Sequence, residues 1–403
     1  MKPLEGIRIL DFTQFMSGPI CTLMLSDFGA EVIKIENPPA GDGTRGGNII
    51  ENGFSSHYAT RNRGKKSVVL NMKDPEQKEL FLKLAAASDA VIENFKPGTM
   101  EKFGITYEVL EKINPKIVYT SISGYGQEGP YAHRAAYDAT VQAESGVMSI
   151  TGEAGGHPTK CGGSIADYSG GLAGCIGTLI GIVDAQRTGH GRRVDCSMME
   201  ALLLLQENML SMYLKNGIVP KPNGNRYPAS SPIGDFMCKD GVPIMLNIST
   251  DAQWKNFAEA LEQPQWLENP HFVSMKLRAD HYQEVEAEVN RVFATLDSVD
   301  IAARLEKKKS IYGMINDYKA IAEHPQVQYR KSFVNAVYPD GTSFKVPGNP
   351  LRISGVEYQE EYYAAPLGND TIDVFTQVAD ADTVHRIMDP VLAQVAEKQR
   401  AMK

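Results

Sequence analysis

The sequence predicts an α/β protein of two domains, a large one built on a mostly parallel, Rossmann-like sheet and a smaller α+β one. Three observations carry this expectation. Short apolar runs alternate with helix-spaced segments through residues 6–122, prolines crowd a stretch from Pro220 to Pro232, and strand-like patterning returns after His324-Pro325. A chain of 403 residues is also longer than one small core organises. The large domain is therefore expected over residues 1–217, a crossover over 218–235, the small domain over 236–323, and a return segment over 324–403 that completes the first.

The first run, residues 6–12, is apolar and bounded by Gly6 and Asp11, as suits a strand buried on both faces. Ser17-Gly18-Pro19 then precedes helical spacing over residues 20–29, and residues 30–36 read as the next strand. A strand at 67–70 follows, then a helix capped by Asp74 with Pro75 at its first position, and strands at 90–95 and 117–122. Ligands are expected at the carboxyl ends of these strands. The first strand–helix turn carries Thr13-Gln14-Phe15-Met16-Ser17-Gly18-Pro19 instead of a Gly-x-Gly-x-x-Gly fingerprint, and a Walker lysine loop is missing as well. Neither nicotinamide chemistry nor nucleotide hydrolysis has sequence support. Helical patterning runs from Ser169 to about Gly217, divided by a Gly-rich basic linker at 187–193 and a strand at 194–197. In the small domain Lys239-Asp240-Gly241 marks a hairpin, with helices to about residue 320. Strands at 334–338 and 343–346 and a final helix close the chain.

Hydrophobic content of 42% and charged content of 22% describe a globular enzyme, and a net charge of −8 argues against general nucleic-acid binding. No signal-type block opens the chain, and no window reaches the roughly 18 uninterrupted apolar residues of a membrane span. The expected compartment is the cytoplasm. Five widely spaced cysteines without a Cys-x-x-Cys pair give no disulfide framework and no zinc site. Arg61, Arg63, Lys65 and Lys66, with Lys73, Lys96 and Lys102 further on, form either a solvated surface or a local seat for an anion. Asp167 is a lone carboxylate among small residues, near Gly162, Gly163, Gly170 and Gly171. It suits two roles: the N-cap of a helix beginning near Ser169, or a nucleophile with room beside it for a bulky thioester.

Several segments in order resemble the class III CoA-transferases, the family of formyl-CoA transferase, carnitine CoA-transferase and the 2-methylacyl-CoA racemases. They are residues 3–12, residues 28–36, Gly41-Asp42 with Arg45, Glu93-Asn94-Phe95-Lys96-Pro97-Gly98, Gly124-Tyr125-Gly126-Gln127, Ala136-Tyr137-Asp138, Asp167, Thr188-Gly189-His190-Gly191 and Pro366-Leu367-Gly368. The resemblance implies that Asp167 is the nucleophile, passing through an aspartyl anhydride and an aspartyl-CoA thioester. It places coenzyme A against Met16, Arg45, Val69, Leu70, Met72, Asn94, Phe95, Lys96 and Lys102, with Arg63 as an addition. No metal is expected. It also implies an interlocked, ring-like homodimer, with an acyl-CoA and a small carboxylic acid as the other partners. Backbone N–H groups near Gly170 or the Gln14–Ser17 turn are candidates for holding an oxyanion, and Tyr137 for a hydrogen bond inside the site. Two alternatives stand beside transfer. A racemase uses a histidine in a Gly-His-Asp setting where this chain has Ala136-Tyr137-Asp138, and tyrosine, with a pKa near 10, is a poor base. A noncatalytic acyl-CoA binder would gain nothing from a desolvated carboxylate. Met16 and Asn37 replace a glutamine and an arginine of formyl-CoA transferase, and residues 226–234 replace its glycine loop, so an acid other than formate or oxalate and a different lid are expected. Arg226, Tyr227 and His57 are candidate contacts for that acid.

Overall fold

The computed structural model describes residues 2–46, 50–51, 54–227 and 229–401. Pro228, in the expected crossover, lies outside the described residues. The chain divides into two compact units, one of residues 1–147, 161–218 and 326–403, the other of residues 148–160 and 219–325. The segment 148–160 thus belongs with the smaller unit, whereas the sequence reading put it in the large domain.

The larger unit is built on six parallel strands: β1 (Arg8–Asp11), β2 (Glu31–Glu36), β3 (Lys66–Val69), β4 (Ala90–Glu93), β5 (Val118–Ser123) and β6 (Arg193–Ser197). Their order is β3-β2-β1-β4-β5-β6. The order reverses between β1 and β4, and the crevice outside their carboxyl ends is where such sheets bind ligands. Strands β4 and β5 are buried along their whole length, which is why they carry mostly apolar, β-branched and small residues without a polar face in alternation.

The helices that position the site are α1 (Ser17–Asp27), α2 (Ser56–Asn62), α3 (Pro75–Ala86), α4 (Asp138–Glu144), α5 (Ile165–Thr188) and α6 (Met198–Leu205). Helix α3 starts as expected, with Asp74 accepting from the N–H groups of Glu76 and Gln77 and Pro75 in the first turn. Helix α5 begins at Ile165, ahead of the expected Ser169. Its glycines serve close packing. A Cβ on Gly171 would lie 2.5 Å from the Ser17 carbonyl oxygen, one on Gly174 2.5 Å from Ile122, and one on Gly181 2.8 Å from Val118. By length and composition α5 is apolar enough to cross a membrane. One side packs on α1 and the sheet, while Leu172, Ile176, Ile180 and Val183 remain exposed. The return segment joins the same core, where Val374, Phe375, Val384 and Met388 pack with Val69, Leu80 and Phe81.

In the smaller unit Ile233–Met237 and Pro243–Asn247 form the expected hairpin, joined by Tyr312–Met314 in an antiparallel sheet. Gly241 takes a φ of +79°, which the turn after Asp240 requires. Trp254, Phe257, Trp266, Phe272 and Phe293 fill the core beneath it.

Candidate active site

Asp167 is the third residue of α5, after the N-cap Ser164, and is not itself the cap. That task falls to Asp138, at the start of α4. Its Oδ1 accepts from the N–H groups of Ala166 (2.8 Å) and Asp167 (3.3 Å). Gln142 holds it there: Nε2 donates to Asp138 Oδ2 (2.6 Å) and to the Gly163 carbonyl (3.4 Å), while Oε1 accepts from the Cys161 N–H (2.9 Å). The Ile165 and Tyr168 N–H groups bond to the carbonyls of Gly163 and Ser164. An anion already occupies the positive end of the helix.

The Asp167 carboxylate accepts no hydrogen bond from any described residue. Burial, and then the charge of Asp138, raise its pKa from 3.8 to about 6, with Arg61 pulling the other way. At neutral pH the group is ionised yet poorly solvated, as a nucleophile or base needs to be.

Asp167 and Gly171 are one helical turn apart and share a face, and at Gly171 that face meets the Ser17 carbonyl. The turn after β1 is thereby brought alongside the helix turn that carries Asp167. Asn94, just past β4, braces this turn across the switch point: Oδ1 accepts from Gln14 N–H (2.8 Å), and Nδ2 donates to the Gln14 carbonyl (2.8 Å) and Ser17 Oγ (3.1 Å). Below it Lys34 pairs with Asp42 (3.0 Å) and donates to the Thr13 carbonyl (2.6 Å). Asp42 Oδ1 accepts from Phe15 N–H (3.3 Å), and Phe15 sits in the left-handed region at φ +62°. Lys65, pushed down to about 8 by burial against the pull of Asp11, bonds Asp11 (3.0 Å), Thr22 (2.7 Å) and Asn62 (2.9 Å). A buried ionic lattice thus supports a strained turn. Within it the N–H groups of Met16 and Ser17 donate to no described partner.

Several expected contacts take other roles. Gly170 cannot offer an oxyanion donor, because its N–H lies inside the helical ladder of α5 and its Cβ position would be 2.6 Å from Met198. Arg45 is bound bidentately by Glu36 (2.7 Å to each oxygen) and stacks on Tyr58, which leaves its charge satisfied within the protein. Arg63 is held in the same manner by Asp27. The side chains of Val69, Leu70 and Met72 are buried in the core, so a ligand along this segment meets backbone. Asn94 gives both its amide hydrogens to the 14–17 turn, which makes it a brace. Tyr137 is 70% exposed and its phenol has no described hydrogen bond. Arg226 is bound by Glu286 (2.7 and 2.5 Å) and His57 is half-buried with its carbonyl accepting from Arg61.

Met16 is half-buried in the braced turn, Phe95 packs half-buried on the core, and Lys96 and Lys102 are exposed. Lys96 also lines a cavity of about 90 Å³ with Glu93, Tyr119, Ser121, Gln127 and Arg193. Glu93 is raised to about 7 by burial, with its Oε2 accepting from Phe95 N–H at 2.7 Å. Sequence reasoning passed over Glu93 because it ends an apolar strand and looks like a solvated residue there. Asp138 was noticed only as a neighbour of Tyr137; its cap role spans 28 residues and leaves no local signal.

Comparisons with known proteins agree with this architecture. The family model for CoA-transferase family III matches residues 4–371. The chain is 34% identical over 365 residues to acetyl-CoA:oxalate CoA-transferase of Acetobacter aceti, covering 90% of this chain and 92% of that one. It is 33% identical over 383 residues to succinyl-CoA:glutarate CoA-transferase of Homo sapiens, covering 95% and 87%. Among solved structures, a CAIB/BAIF family protein from Brucella suis superposes with a TM-score of 0.83 at 29% identity, over 94% of this chain and all of that one. With the family model spanning residues 4–371 and relatives above 30% identity matched over nine-tenths of the chain, the protein belongs to CoA-transferase family III.

Proposed function

We propose that the enzyme transfers CoA from an acyl-CoA to a small dicarboxylic acid with Asp167 as the covalent carrier. The observation that supports this most is the Asp167 carboxylate itself, accepting no described hydrogen bond and held near 6. Oxalate and glutarate, named for two relatives, are both dicarboxylic acids. Asp167 attacks the thioester carbonyl, forming a mixed anhydride and releasing CoA thiolate. The thiolate attacks the aspartyl carbonyl, giving aspartyl-CoA and freeing the donor acid. The acceptor carboxylate then attacks that thioester, again forming an anhydride and releasing thiolate, and the thiolate takes the acceptor acyl group and returns Asp167 as a carboxylate. Each step exchanges one activated acyl bond for another. The unpartnered Met16 and Ser17 N–H groups are the donors for the oxyanion that forms at each attack.

The exposed stripe Leu172, Ile176, Ile180 and Val183 supports a homodimer in which a second copy covers α5. Sedimentation velocity reads this directly, and a monomer at micromolar concentration removes the dimer. The covalent step is tested by mass spectrometry after incubation with a panel of acyl-CoAs, with and without hydroxylamine or borohydride. The expected result is an adduct on the peptide containing Asp167. No adduct, together with deuterium uptake beside the thioester carbonyl, would replace transfer by racemisation.

A further inference from the structure

Five described lysine and arginine side chains belong to residues no more than 8% exposed: Lys34, Arg61, Arg63, Lys65 and Arg278. Four have a carboxylate. Lys34 pairs with Asp42 at 3.0 Å, Arg63 with Asp27 at 2.5 Å, Lys65 with Asp11 at 3.0 Å and Arg278 with Asp251 at 2.8 Å. Arg61, on α2, has none among the described residues. Its Nη1 donates to the His57 carbonyl at 3.1 Å, and its Nε is enclosed without a partner. A guanidinium carries five N–H donors and a charge that cannot be given up, so enclosing its Nε without a partner, with no carboxylate beside the group, is unfavourable unless an anion completes it. Asp167 is not that anion, since the two form no ion pair. The field of Arg61 nevertheless reaches it and opposes the effects of burial and Asp138. Helix α2, which carries Arg61, packs on α1, and α1 packs on α5, which carries Asp167, so an unfilled cation stands one helix away from that carboxylate and is not bonded to it.

We propose that Arg61 receives the distal carboxylate of a dicarboxylic acid whose near carboxylate reacts at Asp167. The inference rests on the reading of the enzyme as a dicarboxylate CoA-transferase and names the residue that selects the second charge. A planar fork of donors suits a carboxylate in a way that a lysine does not.

The test compares wild type, Arg61→Met and Arg61→Lys with glutarate and with its monomethyl ester as acceptors, under saturating acyl-CoA. Arg61→Met is expected to lower the ratio of kcat/KM for glutarate to that for the ester by about 10–100-fold, the range of one charge-assisted bidentate pair, with Arg61→Lys recovering part of it. An unchanged ratio overturns the proposal, as does a weakened KM for the acyl-CoA in place of the acid. A second readout is independent of turnover. Calorimetric titration of glutarate into wild type and Arg61→Met in the presence of CoA is expected to show binding to the first and its loss in the second; equal binding, or none to wild type, overturns the role of Arg61. If wild type moves CoA to no acid but binds glutarate through Arg61, the transferase reading falls and the carboxylate receptor stands. Removing an unpaired buried charge is expected to leave the melting temperature unchanged or higher, so loss of folding does not blur the outcome.

Discussion

Replacing Asp167 by Asn should abolish transfer and at the same time make the protein more stable. Raising a carboxyl from 3.8 to about 6 corresponds to about 3 kcal/mol, at 1.36 kcal/mol for each tenfold change in acidity. Partial exposure of the group and its place in the first turn of α5, where a negative charge gains roughly 0.3–1 kcal/mol, reduce the net cost to about 1–2 kcal/mol. The direction follows from proton linkage. The folded pKa lies above the unfolded one, so the native state holds more protons between them and wild-type stability falls as pH rises from about 4 through about 6. Asp167→Asn removes this loss. Urea unfolding at pH 8 should show the variant more stable by about 1–2 kcal/mol, with roughly half that gain at pH 5. Transfer should drop by about 10³-fold or more. A variant less stable than wild type at pH 8, or a gain of equal size at both pH values, would mean that the carboxylate is held by favourable contacts, and the account of a poorly solvated nucleophile would be refuted.

Below pH 6 the rate of adduct formation under kcat/KM conditions should rise about tenfold per pH unit and then level off, because only the ionised Asp167 attacks; stopped-flow or quenched mass spectrometry over pH 5–8 would measure it. Asp138→Ala should destabilise the protein by about 1 kcal/mol through loss of the α5 cap, whereas Asp138→Asn keeps an acceptor oxygen and removes the charge. In Asp138→Asn the inflection of that pH profile should move down, and an unmoved inflection would remove Asp138 from the electrostatic account. Gly171→Ala should cost about 1–3 kcal/mol, since its Cβ would sit 2.5 Å from the Ser17 carbonyl oxygen, and thermal melts of the purified variant read it.

The parallel sheet was legible because strands buried on both faces must be written in apolar and β-branched residues. The start of α5 was not, since the small residues around Gly162 and Gly163 carry no helical pattern and the helix was expected only from Ser169; it begins at Ile165, and Gly170 and Gly171 within it are small for the sake of Met198 and Ser17. Arg45 and Arg63 looked like surface cations available to phosphates. A charge in a sequence does not report its burial, and their partners Glu36 and Asp27 are 9 and 36 residues away. Asp167 stood out as a lone carboxylate among small residues, and the resemblance favoured nucleophile over N-cap; its isolation from hydrogen-bond donors became visible only once Asp138, from another helix, was seen to hold the N–H groups a local cap would have used.

The cap has a further consequence for how long the intermediates live. In the proposed mechanism Asp167 loses its charge whenever it becomes an anhydride or a thioester, while the cap Asp138 takes no part in the exchanges. The repulsion between them is present in the resting enzyme and disappears on acylation, so the free carboxylate is the disfavoured partner in every exchange. Premature hydrolysis, which would regenerate that carboxylate, gives back part of its driving force against the Asp138 charge. In that mechanism the helix cap is a bias toward the acylated state of Asp167 over its free carboxylate.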